Sequence, residues 1–178
     1  RGCCMVPRPL ARTEFHGRLP MRVGARSVHE AHRQYAAKIA ALAGAEAASL
    51  FAAPTVLLGN GATDGSATWE TELDGEARPL AALQGAERDA VVARLQLLLA
   101  RLMPLCDEPE IGPWLRRALV VPGEQAIMAV GTTPVLVDWG LRGPTQSEDN
   151  DALAEAMRRG LSPFLPQARP AASARRHR

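Results

Sequence analysis

Several clusters in this chain hold residue types that could do chemistry. His29-Glu30-Ala31-His32 offers two imidazoles with a carboxylate between them. A zinc site on one helix face needs its histidines four apart, and these are three apart. His16 could supply a third ligand only if the residues ahead of the helix folded back. The spacing predicts solvent-facing histidines on the first turns of a helix, and no metal. Gly59-Asn60-Gly61 with Gly65 has the glycines of a phosphate-binding loop but leads into a strand. Phosphate held by backbone N–H groups needs a helix N-terminus, so a hairpin loop is the better reading. Glu148-Asp149-Asn150-Asp151 lacks the alternating oxygens and central glycine of a calcium loop and reads as helix capping. Cys3, Cys4 and Cys106 form no disulfide framework, which predicts reduced thiols and a cytoplasmic setting.

Asp138 is the remaining candidate. Asp138-Trp139-Gly140, within the run VLVDWGL, resembles the Asp-Phe-Gly segment of protein kinases, where the aspartate holds magnesium. The phosphate-covering glycine loop and the His-Arg-Asp loop of that family are missing, and the chain is too short for two lobes. Trp139 is therefore expected in the core, with Asp138 facing water or capping a turn. The alternative is a small nucleotide-binding or metal-dependent enzyme domain using Asp138 with Glu70 or Glu72.

The elements that must position these residues follow from periodicity and turn chemistry. Ser27 and Glu30 form a capping-box pattern ahead of a helix with Val28, Tyr35, Ile39 and Leu42 on one face. Thr55–Leu58 and the alternating Thr68–Leu73 read as strands, and Asp74-Gly75 predicts a hairpin returning through Glu76–Leu80. From Gly85 to Met103 a helix carries Val91, Leu95, Leu98 and Leu102 as a stripe, widened by Val92 and Leu99. Pro113 suits the first turn of a short helix reaching Leu119. The two apolar runs in Gln125–Gly140 predict a buried hairpin, and Ala152–Arg159 a last helix. Ala40–Gly59 is long enough to span a membrane, but its alanines, Glu46 and Pro54 favour a helix running into a strand. The expected fold is α+β: one antiparallel sheet of about five strands, with helices on one face.

At 178 residues and 47% hydrophobic, the chain fits one domain with a sizeable core. Its charge is uneven. Residues 1–33 carry seven arginines against Glu14 and Glu30, residues 158–178 carry six arginines and no acid, and the middle is net −9. The reading is a Pro/Arg-rich leader over 1–26, a domain over 27–160, and a basic Pro-rich tail over 161–178. Segments so poor in apolar residues cannot offset their ordering entropy alone, unless the leader packs on the body through Met5, Val6, Leu10 and Phe15. Arg175, Arg176 and Arg178 are the candidate contacts to an anionic surface. Basic termini could also meet nucleic acid, but they lack the interleaved aromatics of single-strand stacking platforms.

Two segments, TWETELDGEARPLAAL and GTTPVLVDWGL, resemble the cytosolic N-terminal regions of uncharacterised bacterial envelope proteins from secretion- or virulence-associated loci. The resemblance spans roughly residues 55–141. It implies a cytosolic module, ahead of a membrane span or at the cytosolic face of the inner membrane. Together these readings predict a non-catalytic interaction or scaffold module with a protein partner and no cofactor. An anionic membrane surface is the second partner considered.

Overall fold

The Ser27–Glu30 capping box forms as its pattern predicts. Ser27 Oγ accepts from the Glu30 N–H at 3.0 Å, and Glu30 Oε1 accepts from the Ser27 N–H at 2.9 Å. In this computed structural model, which describes residues 6–59 and 64–166, the box spans the turn that leads into helix α1 (His32–Ala43). Ile39 is fully buried, but Leu42 is 61% exposed. Val28 is buried and Tyr35 packs on the core as expected, and Ala43 takes the place of Leu42 at the end of that face. Gly44, at φ +100°, ends the helix before the single turn α2 (Ala45–Ala48).

The fold is α+β, but its strands form several small antiparallel sheets where a single five-stranded one was expected. The first has the order β1–β6–β5, from Arg8–Glu14, Ser66–Thr71 and Ala53–Leu57. The second has the order β7–β8–β9, from Ala77–Pro79, Ile127–Val130 and Thr133–Leu136. Two-residue ribbons complete the set: β2 (Leu19–Pro20) with β10 (Leu141–Arg142), and β3 (Arg22–Val23) with β4 (Arg26–Ser27). The hairpin expected at Asp74-Gly75 does not close because both edges of β6 are taken, by β1 and β5. Strand β7 pairs instead with β8, placing Ala77 opposite Val130 and Pro79 opposite Met128.

Residues 8–26, read as leader, are structural. Strand β1 lies against β6 with Glu14 opposite Ser66, and Phe15 and Met21 are in the core at 0% and 1% exposure. Leu10 and Phe15 thus act as the anchors of the packed alternative, while Val6 stays exposed. The buried hairpin β8–β9 sits where the two apolar runs place it, with all four residues of β8 buried. Ala52 N–H donates to Leu136 O at 3.0 Å and Leu136 N–H donates to Leu50 O, which ties the two larger sheets together.

Helix α3 (Gly85–Leu102) buries Val91, Leu95, Leu98, Leu99 and Leu102, the stripe its sequence defines. Pro113 stands in the first turn of α4 (Gly112–Ala118). Helix α5 (Asn150–Leu161) is capped by Asp149, whose carboxylate accepts from Ala152 N–H at 2.8 Å. That bond, with the Ser147 hydroxyl, holds the Asp149 carboxyl below its ordinary range. The fold runs past the expected boundary at residue 160, because Leu161 and Phe164 are both buried.

Gly160 marks where α5 meets the chain after α4: a Cβ there would sit 2.1 Å from Val121 O. Alanine ordinarily stabilises a helix interior over glycine by about 1 kcal/mol. Here overpacking against a backbone carbonyl reverses the sign, and Gly160→Ala should cost about 2 kcal/mol. Urea denaturation of the variant checks this. A stability equal to or above that of the parent chain would show that the contact gives way freely.

Candidate functional site

All three tryptophans of the chain meet in one cluster, and His29 and His32 are part of it while His16 is not. Trp139 lies 5.5 Å from Trp69 and 5.7 Å from Trp114 between ring centroids. Phe51 meets Trp114 and Trp139 edge-on, and Tyr35 stacks on Trp114 at 5.3 Å. The indole N–H groups are all satisfied: Trp139 donates to Ala52 O at 3.1 Å, Trp114 to Val28 O at 2.9 Å and Trp69 to the Thr13 hydroxyl at 2.9 Å. Such satisfaction is what lets tryptophan be fully buried.

His29 is buried and His32 half-buried, where both were expected to face solvent. His29 is 6% exposed, and its Nε2–H donates to Trp139 O at 2.7 Å. That bond assigns the proton to Nε2 and leaves Nδ1 as a buried acceptor without a hydrogen-bond partner. Burial lowers the His29 pKa to about 4, against the smaller opposing effect of the Trp139 carbonyl. His32 is lowered as well, chiefly by burial, while its Nε2 bonds Phe51 O at 3.3 Å. Each imidazole is thus directed at a different carbonyl. Among the described residues no group of three or more His, Cys, Asp or Glu side chains is placed to hold a metal ion.

Asp138 does not face water either. It is 9% exposed at φ +56°, and its two oxygens take a fork of bonds from Arg18 at 3.1 and 3.2 Å. The same guanidinium donates to the carbonyls of Glu14 and Phe15. Arg18 thereby fastens the end of β1 to the turn before Gly140, and the bidentate geometry makes the carboxylate a structural anchor. Neither Glu70 nor Glu72 bonds to Asp138.

Gly59 and Gly65 stand at the ends of the β5–β6 connection, and Asn60 and Gly61 lie outside the described residues. Gly65 packs on Phe15, whose ring a Cβ would meet at 2.5 Å. In the acidic run, Glu148 takes Arg117 on one oxygen at 2.8 Å and Arg142 on the other at 2.9 Å. Cys106 is buried, which pushes its thiol up to about 11 and leaves it un-ionised at neutral pH. Arg175, Arg176 and Arg178 lie outside the described residues.

The concave feature beside these groups is a groove of about 450 Å³ between β2 and β5. Leu19 and Pro20 form one wall, and Pro54, Val56 and Leu58 the other. His29, Ser27 and Glu30 line it as well, with Arg22 and Arg142 as its basic groups. Leu57 and Leu58, at the end of the edge strand β5, are 65% and 61% exposed. Sequence reasoning missed this groove because its walls come from segments more than thirty positions apart. The one local signal was the apolar Val56-Leu57-Leu58 run, which a two-sided burial would not leave bare.

The chain matches no family model, no curated protein and no solved structure. Among the described residues no helix is long and apolar enough to cross a membrane.

Proposed function

We propose that this chain is a non-catalytic interaction module, serving a bacterial cytosolic or inner-membrane-attached assembly. The observation that carries the reading is the open, apolar-walled groove beside the exposed Leu57 and Leu58. Its volume falls within the roughly 300–1,000 Å³ of binding clefts, and bare leucines beside a cleft are costly unless something covers them. The engagement of Asp138 by Arg18 supports the same reading, since a carboxylate gripped by both oxygens is poorly placed to hold magnesium or move a proton.

The rival is a nucleotide- or metal-dependent enzyme acting through Asp138. A thermal-shift series with ATP, GTP, magnesium and zinc separates the two, run on the parent chain and on Asp138→Asn. The expected result is an unchanged melting temperature with every additive. A robust upward shift with a nucleotide or metal that Asp138→Asn abolishes would overturn the interaction reading.

A further inference from the structure

We propose that His29 is an acid-released latch: protonation drives its imidazole out of the aromatic cluster into the groove between β2 and β5, opening Trp139 to water while the surrounding fold stays in place. The latch is independent of the interaction reading. His29 has the core on one side and open space on the other. Its ring packs on Trp139 at 4.9 Å and edge-on to Trp69 at 5.7 Å between centroids, and the residue also lines the groove. The Nε2–H bond to Trp139 O is the ring's one polar tie among the described residues, since Nδ1 has no partner. An imidazolium carries a second N–H, for which the cluster offers no acceptor, and a buried charge without a partner is strongly disfavoured.

The backbone around His29 does not have to break for the ring to leave. Val28 N–H donates to Met21 O at 2.9 Å, His32 N–H to His29 O at 3.3 Å and the Trp114 indole to Val28 O at 2.9 Å. None of these bonds runs through the imidazole, so rotation about side-chain bonds is enough to release it. Inside the cluster burial holds the His29 pKa at about 4, against 6.5 in water. Release is therefore coupled to uptake of a proton and falls between those values.

The charges around the ring leave Glu30 as the receiving group. Glu30, Arg22 and Arg142 line the groove with His29. Arg142 pairs with Glu148, which also accepts from the Arg22 N–H. Asp138, beside Trp139, is held by Arg18. On β6, Glu70 follows Trp69 and so lies on the opposite face of the strand. Strand β5 and the residue after it bring only the uncharged Pro54, Val56 and Leu58 to the groove. On α1, His32 opposes a proton on His29, and Arg33 acts in the same sense on His32, so both favour exit. Glu30 accepts from the Ser27 N–H with Oε1, and its other oxygen has no bond among the described residues.

Acrylamide quenching of tryptophan fluorescence tests this on the full chain from about pH 7.5 to 4.5, with far-UV circular dichroism at each step. The expected result is a rise of about twofold in the quenching constant while the far-UV signal holds, the mark of a local opening. Its midpoint should lie between pH 4 and 6.5. His29→Gln, whose amide still donates to Trp139 O, should abolish the rise, and His32→Gln should keep it. Glu30→Gln still accepts from the Ser27 N–H but carries no charge, and should move the midpoint to lower pH. No rise, or a rise that persists in His29→Gln, overturns the latch. A rise that coincides with loss of the far-UV signal is global acid unfolding and overturns it too. An unmoved midpoint in Glu30→Gln overturns Glu30 as the receiving group. If His29→Gln does not fold, long-range ¹H–¹⁵N spectra of the parent's imidazoles decide. A His29 ring that gains its proton along with the rise supports the latch, and a ring still neutral once quenching has risen overturns it.

Discussion

Replacing Trp139 by alanine is expected to cost about 4 kcal/mol, within the range for deleting a buried aromatic ring. Trp139 is fully buried and stands at the centre of the aromatic cluster. Its ring centroid is 4.9 Å from His29, 5.7 Å from His32 and 5.7 Å from Phe51. Removing it opens a cavity whose walls include Trp69, Trp114 and His32, each held by its own hydrogen bond, so collapse around the void is limited. Loss of the indole also strands the Ala52 carbonyl, next to the Phe51–Leu136 bridge that joins the two larger sheets. Trp139→Phe separates these contributions in part, since it keeps a ring in the cluster and loses the N–H with a smaller part of the packing. It should cost about 1–3 kcal/mol, the penalty of an unpaired buried acceptor. Urea denaturation of both variants provides the measurement. A Trp139→Ala variant within about 1 kcal/mol of the parent would show that the cluster is not the keystone.

That expectation also explains why Asp138-Trp139-Gly140 misleads as a motif. Its three residues answer three structural demands: a carboxylate for Arg18, a ring for the core, and a glycine at φ +81° pressed against Val28 and His29. The sequence placed Trp139 in the core from the apolar alternation around it, which is local information. It could not place Asp138, because Arg18 lies 120 positions away. The same division runs through the fold. The stripe of α3, the β8–β9 hairpin and the Ser27–Glu30 box were legible because each is written within a few residues.

Strand β1 was not legible. Arg8–Glu14 is an edge strand carrying Pro9 and two arginines, the composition that keeps an exposed edge from aggregating and also makes it read as a loop. Once β1 occupies β6, the Asp74-Gly75 turn cannot close its hairpin, so one unseen long-range pairing altered the sheet count. The groove suffered from the same blindness, since proline-containing edge strands form both its walls.

His29 should make folding stability depend on pH between its unfolded and folded ionisation points. In the unfolded chain an exposed histidine titrates near 6.5; in the fold burial holds His29 at about 4. Between those values the unfolded state binds the proton and the folded state does not. Stability from this residue is therefore full above about pH 6.5 and falls as pH drops, with the loss complete below the folded value. At 1.36 kcal/mol per unit, the loss amounts to about 3 kcal/mol. His32, lowered in the same direction, adds to it. Protonation offers no relief inside, because Nε2 is already committed to the Trp139 carbonyl and Nδ1 has no acceptor to receive a new N–H. Glu124 and Asp149, both lowered by their hydrogen bonds, lose their stabilising charge in a more acidic window. His29→Gln isolates the histidine: its amide can still donate to Trp139 O but cannot titrate. Urea melts from pH 7.5 to 4 should show the parent chain losing stability steeply below pH 6.5 and the variant losing markedly less. Equal slopes would mean that the His29 ring accepts its proton in the fold as readily as in water, and the buried, unpaired Nδ1 could then not be the environment that imidazole occupies.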